Sequence, residues 1–391
     1  MRIIKKMFRL LLKAAKWTFL VIIVLAVASA LYNLTLPEQS RIKDKLLDNE
    51  KAYVAETMNL QQTVGDTVWP GWGRLHIPVI AYNEAYAFLI GYPNPPAGWM
   101  KMPREEFRGS TWEAVKDDDF FGQTYYRQQL NNPDVTPENF TVKVGEQWVA
   151  AMQTNEYASV TFYKEFKNEL PPVLNAVFPY KIFWNLLMGE AENYIGGMAH
   201  ESFHAFQGTA VPHKFTEGEN AGRLSQEYPW DNDKNAEGWK QEIKFLHQAY
   251  TSGNIDSARW YVRKFVDRRN ERRLKAGLSP EMIGYEKNRE WLEGLAKYAE
   301  LKIGLLAEEN KTYKPIEQIK NVPGFNSYKK RTRFFNRQLG EVKRTAGRHG
   351  ESRFYYGGML QALMLDRLLP GWKTAAFEQD LALDELLKKA V

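Results

Sequence analysis

The sequence predicts an α+β chain with an N-terminal transmembrane helix, a small mixed sheet, and a predominantly helical C-terminal half. Three observations carry this. Residues 17–36 hold no charged side chain. Proline, glycine and tryptophan clusters separate short β-rich runs between about residues 65 and 165. Beyond residue 180, apolar residues recur at helical spacing.

Composition sets the outer bounds. With 391 residues, 44% hydrophobic and 14% aromatic, the chain can bury one large core or two ordinary ones. Net charge is +6, but Arg2, Lys5, Lys6, Arg9, Lys13 and Lys16 all precede the first acid, Glu38. Without these six, 47 basic residues face 47 acidic ones, so the basic balance belongs to the N-terminus and no nucleic-acid partner is expected. There is no cysteine, which excludes disulfides, a thiol nucleophile and thiolate metal ligands. Any metal must be held by His, Asp or Glu.

Residues 1–16 form a basic segment expected on the cytoplasmic side, and 17–36 are long enough to cross a bilayer as a signal-anchor helix ended by Pro37 and Glu38. Positive charge upstream places everything after residue 37 outside the cytoplasm. The alternative is a signal peptide cleaved near Ala30, since Ala28-Ser29-Ala30 fits the small-residue rule. The anchor is preferred because the uncharged run continues past that site, and both readings export the rest of the chain.

Residues 37–64 read as a helical stalk or first helix, with Ile42, Leu46, Leu47, Val54 and Leu60 set among charges. The next part, 65–180, contains the clusters Trp69-Pro70-Gly71-Trp72-Gly73 and Gly91-Tyr92-Pro93-Asn94-Pro95-Pro96. Strands are expected over Leu75–Tyr82 and Tyr157–Phe166, the latter because Tyr157, Ser159, Thr161 and Tyr163 alternate with Ala158, Val160 and Phe162. Within 181–391, helices are expected near 182–208, 238–251, 254–276, 280–307, 325–344, 353–369 and 375–390. Between Gly208 and Glu237 the glycines and prolines suggest a long irregular connection. The run Arg268, Arg269, Arg272, Arg273, Lys275 reads as a solvated helix face.

The chemistry concentrates in 194–208, where His200, Glu201 and His204 stand in H-E-x-x-H spacing in a chain with only six histidines. On a helix, residues four apart lie one turn above each other, so both imidazoles can share a metal ion. Glu201 beside them can take a proton from a water that the metal has made acidic, which is hydrolytic chemistry. Catalytic zinc usually takes three protein ligands. The best third donor is Glu293, 89 residues beyond His204, in the helical run Trp291-Leu292-Glu293-Gly294-Leu295-Ala296-Lys297-Tyr298-Ala299-Glu300. It stands near an apolar stripe, where a carboxylate needs a compensating cation.

At this point the chain resembles the gluzincin zinc metallopeptidases, in which H-E-x-x-H is completed by a glutamate on a second helix. Its motifs are nearest those of the aminopeptidase N branch. The second helix of that branch reads W-L-N-E-G-F-A-x-Y-x-E, against W-L-E-G-L-A-K-Y-A-E here, one residue shorter before the glutamate. The resemblance implies a zincin-like metallopeptidase domain, Zn2+ as cofactor, and Glu293 as third ligand beside His200 and His204. Glu300, seven residues on, is placed to orient a ligand histidine. The family's oxyanion-binding tyrosine maps onto Tyr355 in Phe354-Tyr355-Tyr356-Gly357-Gly358, with Tyr356 the adjacent alternative and His349 and Arg353 nearby. His213, on the connection after the motif, is a further candidate.

Two departures bear on specificity. The branch carries a substrate-amine motif, G-x-M-E-N, on a strand well upstream of the zinc helix. Here Gly189-Glu190-Ala191-Glu192-Asn193 lies only six residues before His200 and reads as the lead-in to the metal helix. The spacing from His204 to Glu293 is also longer than in that branch. The expected function is thus a membrane-anchored, extracytoplasmic zinc peptidase acting on a peptide or protein substrate, with Glu201 as general base and aminopeptidase specificity not implied. Two rivals stand beside it, a non-catalytic binding or scaffold protein of the cell envelope on the same fold and a zinc hydrolase acting on a non-peptide bond.

Overall fold

The computed structural model describes residues 2–130, 142–379 and 381–391. The first helix, α1 (Arg2–Asn33), carries a 24-residue apolar stretch, Leu10–Asn33, of mean hydropathy 2.2. It is long and apolar enough to cross a membrane. The stalk expected from residue 37 is irregular, with bends, as far as Leu47, and helix α2 (Asp48–Val68) starts only with the two acids that suit a helix N-terminus, Asp48 and Glu50.

Eight strands follow among the described residues: β1 (Val79–Tyr82), β2 (Tyr86–Ile90), β3 (Trp99–Lys101), β4 (Glu106–Arg108), β5 (Glu113–Ala114), β6 (Tyr126–Gln129), β7 (Val142–Val144) and β8 (Gln147–Gln153). They form one sheet in the order β4-β3-β7-β8-β1-β2-β6-β5, antiparallel except for the parallel pair β1–β8. Alternation sorts its two faces. Val79, Ala81, Phe88, Ile90, Trp148 and Ala150 join the main helical core, while Ile80, Tyr82, Leu89, Val149 and Ala151 pack with Trp99 and Trp112 on the other side.

The segment 157–166 corrects the strand expectation. It belongs to helix α3 (Asn155–Glu169), whose N-terminus is capped twice: the Thr154 hydroxyl accepts from Tyr157 N at 3.3 Å, and the Glu50 carboxylate accepts from Asn155 N and Glu156 N at 2.8 and 2.9 Å. Ser159 and Thr161, which looked like alternating strand positions, donate to the carbonyls of Glu156 and Tyr157 within the helix.

The expected helix over 182–208 is the end of one short helix and most of a long one, with a further short helix before them. Helix α4 (Pro172–Val177) ends at Phe178, α5 (Tyr180–Met188) is closed by Gly189, and α6 (Ala191–Ala210) begins afresh. The connection from 208 to 237 is also more regular than its glycines suggest. Pro212 opens α7 (Pro212–Ala221), followed by a 3-10 turn, Gly222–Gln226. Then come α8 (Asp233–Thr251), α9 (Ile255–Lys275), α10 (Pro280–Arg289), α11 (Leu295–Glu309), α12 (Arg331–Thr345), α13 (Ser352–Leu368), α14 (Trp372–Glu378) and α15 (Leu383–Lys389). One π-helical turn, Glu290–Gly294, joins α10 to α11 without a break.

The arginine run on α9 is a second correction. Lys275 is exposed, but Arg269, Arg272 and Arg273 are buried and bonded to Glu242, Glu286, Glu290 and Asp384. These acids on α8, α10, the π-helical turn and α15 neutralise the run, so it fastens four elements and is not a solvated face. Burial would push the Glu286 carboxyl up, but the Arg272 and Arg273 guanidiniums hold it far below the usual carboxylate range.

Candidate metal centre

Helix α6 lies against β8 so closely that a Cβ on Gly208 would stand 2.7 Å from the Trp148 ring. That packing fixes one face of α6 on the sheet and turns His200 and His204 toward the π-helical turn that carries Glu293. All three side chains are buried. His200 Nε2 and His204 Nε2 are 3.1 Å apart, and each is 3.3 Å from Glu293 Oε2.

These separations match three donors of a tetrahedral site, where bonds of about 2.0–2.1 Å put neighbouring donors about 3.3 Å apart. Proton positions agree. The Gln207 amide is oriented by donating from Nε2 to the carbonyls of Trp291 and Leu292 at 3.1 and 3.2 Å, so its Oε1 accepts from His204 Nδ1 at 2.8 Å. Glu300 Oε2 sits 3.2 Å from His200 Nδ1. With each Nδ1 facing an acceptor, both Nε2 lone pairs and the Glu293 oxygen converge on one point, an arrangement suited to a cation. Among the described residues, His200, His204 and Glu293 are the group of this kind able to hold a metal ion.

In the metal-free site, burial opposes charge on His200, but hydrogen bonds to Glu293 and Glu300 outweigh it and push its pKa up to about 10. Burial holds His204 below its ordinary value. Burial would raise Glu293 too, yet Arg289, then the two imidazoles, hold it well below the carboxylate range. Lys297 and His200 overcome burial at Glu300 and bring it to about 2. One proton therefore substitutes for the cation.

Glu201 projects into the same cavity; its Oε2 is buried without a hydrogen-bond partner, and burial pushes its pKa well up. Tyr355 also lines the cavity, its ring parallel to His200 with centroids 5.8 Å apart. The tyrosine reaches this place because two glycines let α13 touch the π-helical turn: a Cβ on Gly294 would stand 2.5 Å from Gly358 Cα. Tyr356 is not among the cavity residues and donates instead to Gln338 Oε1 at 2.6 Å. His349 faces Asp231, Arg353 bonds the Arg348 carbonyl, and His213 is likewise outside the lining.

Comparison with family models, with curated proteins and with solved structures returns no match.

The cavity measures about 710 Å³ and includes residues that the sequence reading did not single out. Arg289, one turn before Glu293, bonds Glu293 Oε1 and Glu351 Oε2, each at 2.7 Å, and lies 3.7 Å from Glu219. Burial, opposed by Arg289, pushes the Glu219 carboxyl up to about 7. The i, i+4 spacing of Arg289 and Glu293 was the available signal. The β3–β4 hairpin contributes Lys101, Arg104, Glu106 and Arg108 across the mouth, and Arg223 from the 3-10 turn completes a largely basic rim. No local pattern in the sequence joins that hairpin to α6, about a hundred residues away.

Proposed function

We propose that the chain is a membrane-anchored, extracytoplasmic zinc peptidase with a zincin-like, gluzincin-type centre, and that His200, His204 and Glu293 hold the metal. The observation that carries this is the convergence of the two Nε2 atoms and one Glu293 oxygen at 3.1–3.3 Å separation in a cavity that also holds Glu201. Zinc bound by such a set makes a water acidic enough to lose its proton near neutral pH and polarises a carbonyl.

The chain's own groups do the rest. Glu201 takes the proton of the attacking water as the C–O bond forms, then delivers it to the amide nitrogen as the C–N bond breaks. The unpartnered Oε2 of Glu201 supports this role, since nothing in the protein competes for it. Tyr355 donates its hydroxyl hydrogen bond to the carbonyl oxygen as negative charge builds there. Arg289 holds the Glu293 Oε1 atom away from the centre, leaving Oε2 directed at the imidazoles. The basic rim of Arg104, Arg108 and Arg223 favours peptides with acidic side chains over the cavity mouth.

Metal analysis of the purified full-length chain tests the reading. One zinc per chain, with a melting temperature that falls on chelation and returns on zinc addition, is expected. A chain that takes up no stoichiometric zinc and is indifferent to chelator contradicts it.

A further inference from the structure

Away from the cavity, the described surface carries one concentrated apolar patch outside α1. Val173 and Leu174 on α4 and Ile182, Leu186 and Leu187 on α5 are 48–78% exposed, within fifteen residues of chain. A patch of this kind on a folded domain marks a binding face. Its own helices have a sound anchorage behind them: Phe162, Phe166, Phe178, Tyr180 and Trp184 form a satellite core with Leu36. The exposed side is therefore not the remnant of poor packing.

The patch is attached to the end of the apolar helix. Asn33, the last residue of α1, donates from Nδ2 to the carbonyls of Ala176 and Phe178 at 3.1 and 2.9 Å, and Leu36 is buried in the aromatic cluster three residues later. Lys181 stands 5.4 Å over the Tyr32 ring. An apolar cleft of about 690 Å³ lies between the two elements, with Ile22, Leu25 and Ser29 on one wall and Val177, Pro179 and Ile182 on the other. At 1.5 Å per residue, Leu25 and Ile22 lie about 12 and 16 Å below Asn33 along the helix. The cleft thus runs from the end of α1 to about half the depth of a hydrocarbon core about 30 Å thick.

Charge around the patch points the same way. A second cleft joins Asn185 and Leu186 to three exposed bases, Lys330 just before α12 and Arg333 and Arg337 on it. An apolar face bordered by lysine and arginine suits acyl chains beside anionic lipid headgroups. We infer that α4 and α5 form a membrane wedge: their apolar side chains insert into the leaflet where α1 ends, and the basic face of α12 rests on the headgroups. This rests on α1 being retained as the anchor. It makes the soluble part a body held on the bilayer at two places, with the second one leading directly into the metal helix α6.

The absence of cysteine allows single nitroxide labels to be placed in the full-length chain. In vesicles of neutral and anionic phospholipid, labels at Val173→Cys, Ile182→Cys and Leu186→Cys are compared with Ile22→Cys in α1 and with Leu274→Cys, an exposed position on α9. Power saturation with oxygen and with a water-soluble nickel complex reads the depth of each. The wedge requires the first three to favour oxygen over nickel as Ile22 does, with Leu274 behaving as in water. Labels at 182 and 186 that match Leu274 overturn it, as do labels shielded from both reagents, which would mean a protein covers the face. Peptidase activity plays no part in this readout, so the wedge and the hydrolytic reading fail separately. Mass spectrometry of the intact chain checks that residues 1–33 are retained, and their loss overturns the two-point attachment.

Discussion

Arg289 bonds Glu293 through one carboxylate oxygen, Oε1 at 2.7 Å, leaving Oε2 at 3.3 Å from both His200 and His204. The two atoms of one carboxylate thus face different ways, one bonded to a cation of the chain itself and the other turned to the two imidazoles. Replacing Arg289 with Met removes the fixed partner of Glu293 and Glu351. Breaking a buried pair from one side typically costs about 3–5 kcal/mol. Zinc would still compensate Glu293, so the loss measured by denaturation should be larger in chelator than with zinc present. Equal losses in both would contradict this division of the carboxylate.

Gln207 sets which nitrogen of His204 carries the proton, because its own amide is pinned by the carbonyls of Trp291 and Leu292. Gln207→Leu should weaken zinc binding by about 10–100-fold, the usual effect of losing such a partner. Chelator competition reads this directly. An unchanged affinity would show that His204 does not need the orientation.

Away from the site, burial pushes the Glu50 carboxyl up to about 7, although the backbone N–H groups of Glu156 and Asn155 pull the other way. A carboxyl with a raised folded pKa binds more protons folded than unfolded. Its stabilising effect is present below its ordinary value of 4.5 and is lost as pH rises toward about 7. Relative to Glu50→Gln, the native chain should therefore lose about 3 kcal/mol across that interval. Parallel stability curves for the two proteins would count against it.

The cavity mouth carries Arg104 and Arg223, neither of which contributes to the metal set. With both changed to Glu, KM for acidic peptides should rise severalfold and kcat should change little, while neutral peptides are unaffected. A uniform change across both peptide classes would separate the rim from substrate choice.

Much of the centre was legible because it is encoded locally. Two imidazoles four residues apart need only a helix to converge, and the Trp291–Glu300 run announced both a carboxylate and the apolar stripe beside it. The apolar helix α1 and the helical C-terminal half were legible for the same reason. What escaped was set by distant partners. The 157–166 segment became helical because Glu50, more than a hundred residues earlier, caps it. The α9 arginines are buried because acids on four other segments meet them, which charge spacing along one helix does not reveal. That Tyr355 lines the cavity while Tyr356 turns to Gln338 depends on how α13 meets the π-helical turn at Gly294 and Gly358, which the local sequence does not reveal.

The central claim is that this centre hydrolyses peptide bonds with Glu201 as the base, and one comparison addresses it. The full-length chain and its Glu201→Gln variant, both loaded with zinc and checked for metal content, are incubated with a diverse peptide library and the products read by mass spectrometry. The native chain should cut a defined subset, and the variant should hold the same zinc with cleavage reduced by about 10²–10⁴-fold or more. A zinc-replete native chain that leaves the library intact, or a variant that cuts as well as the native chain, would contradict it.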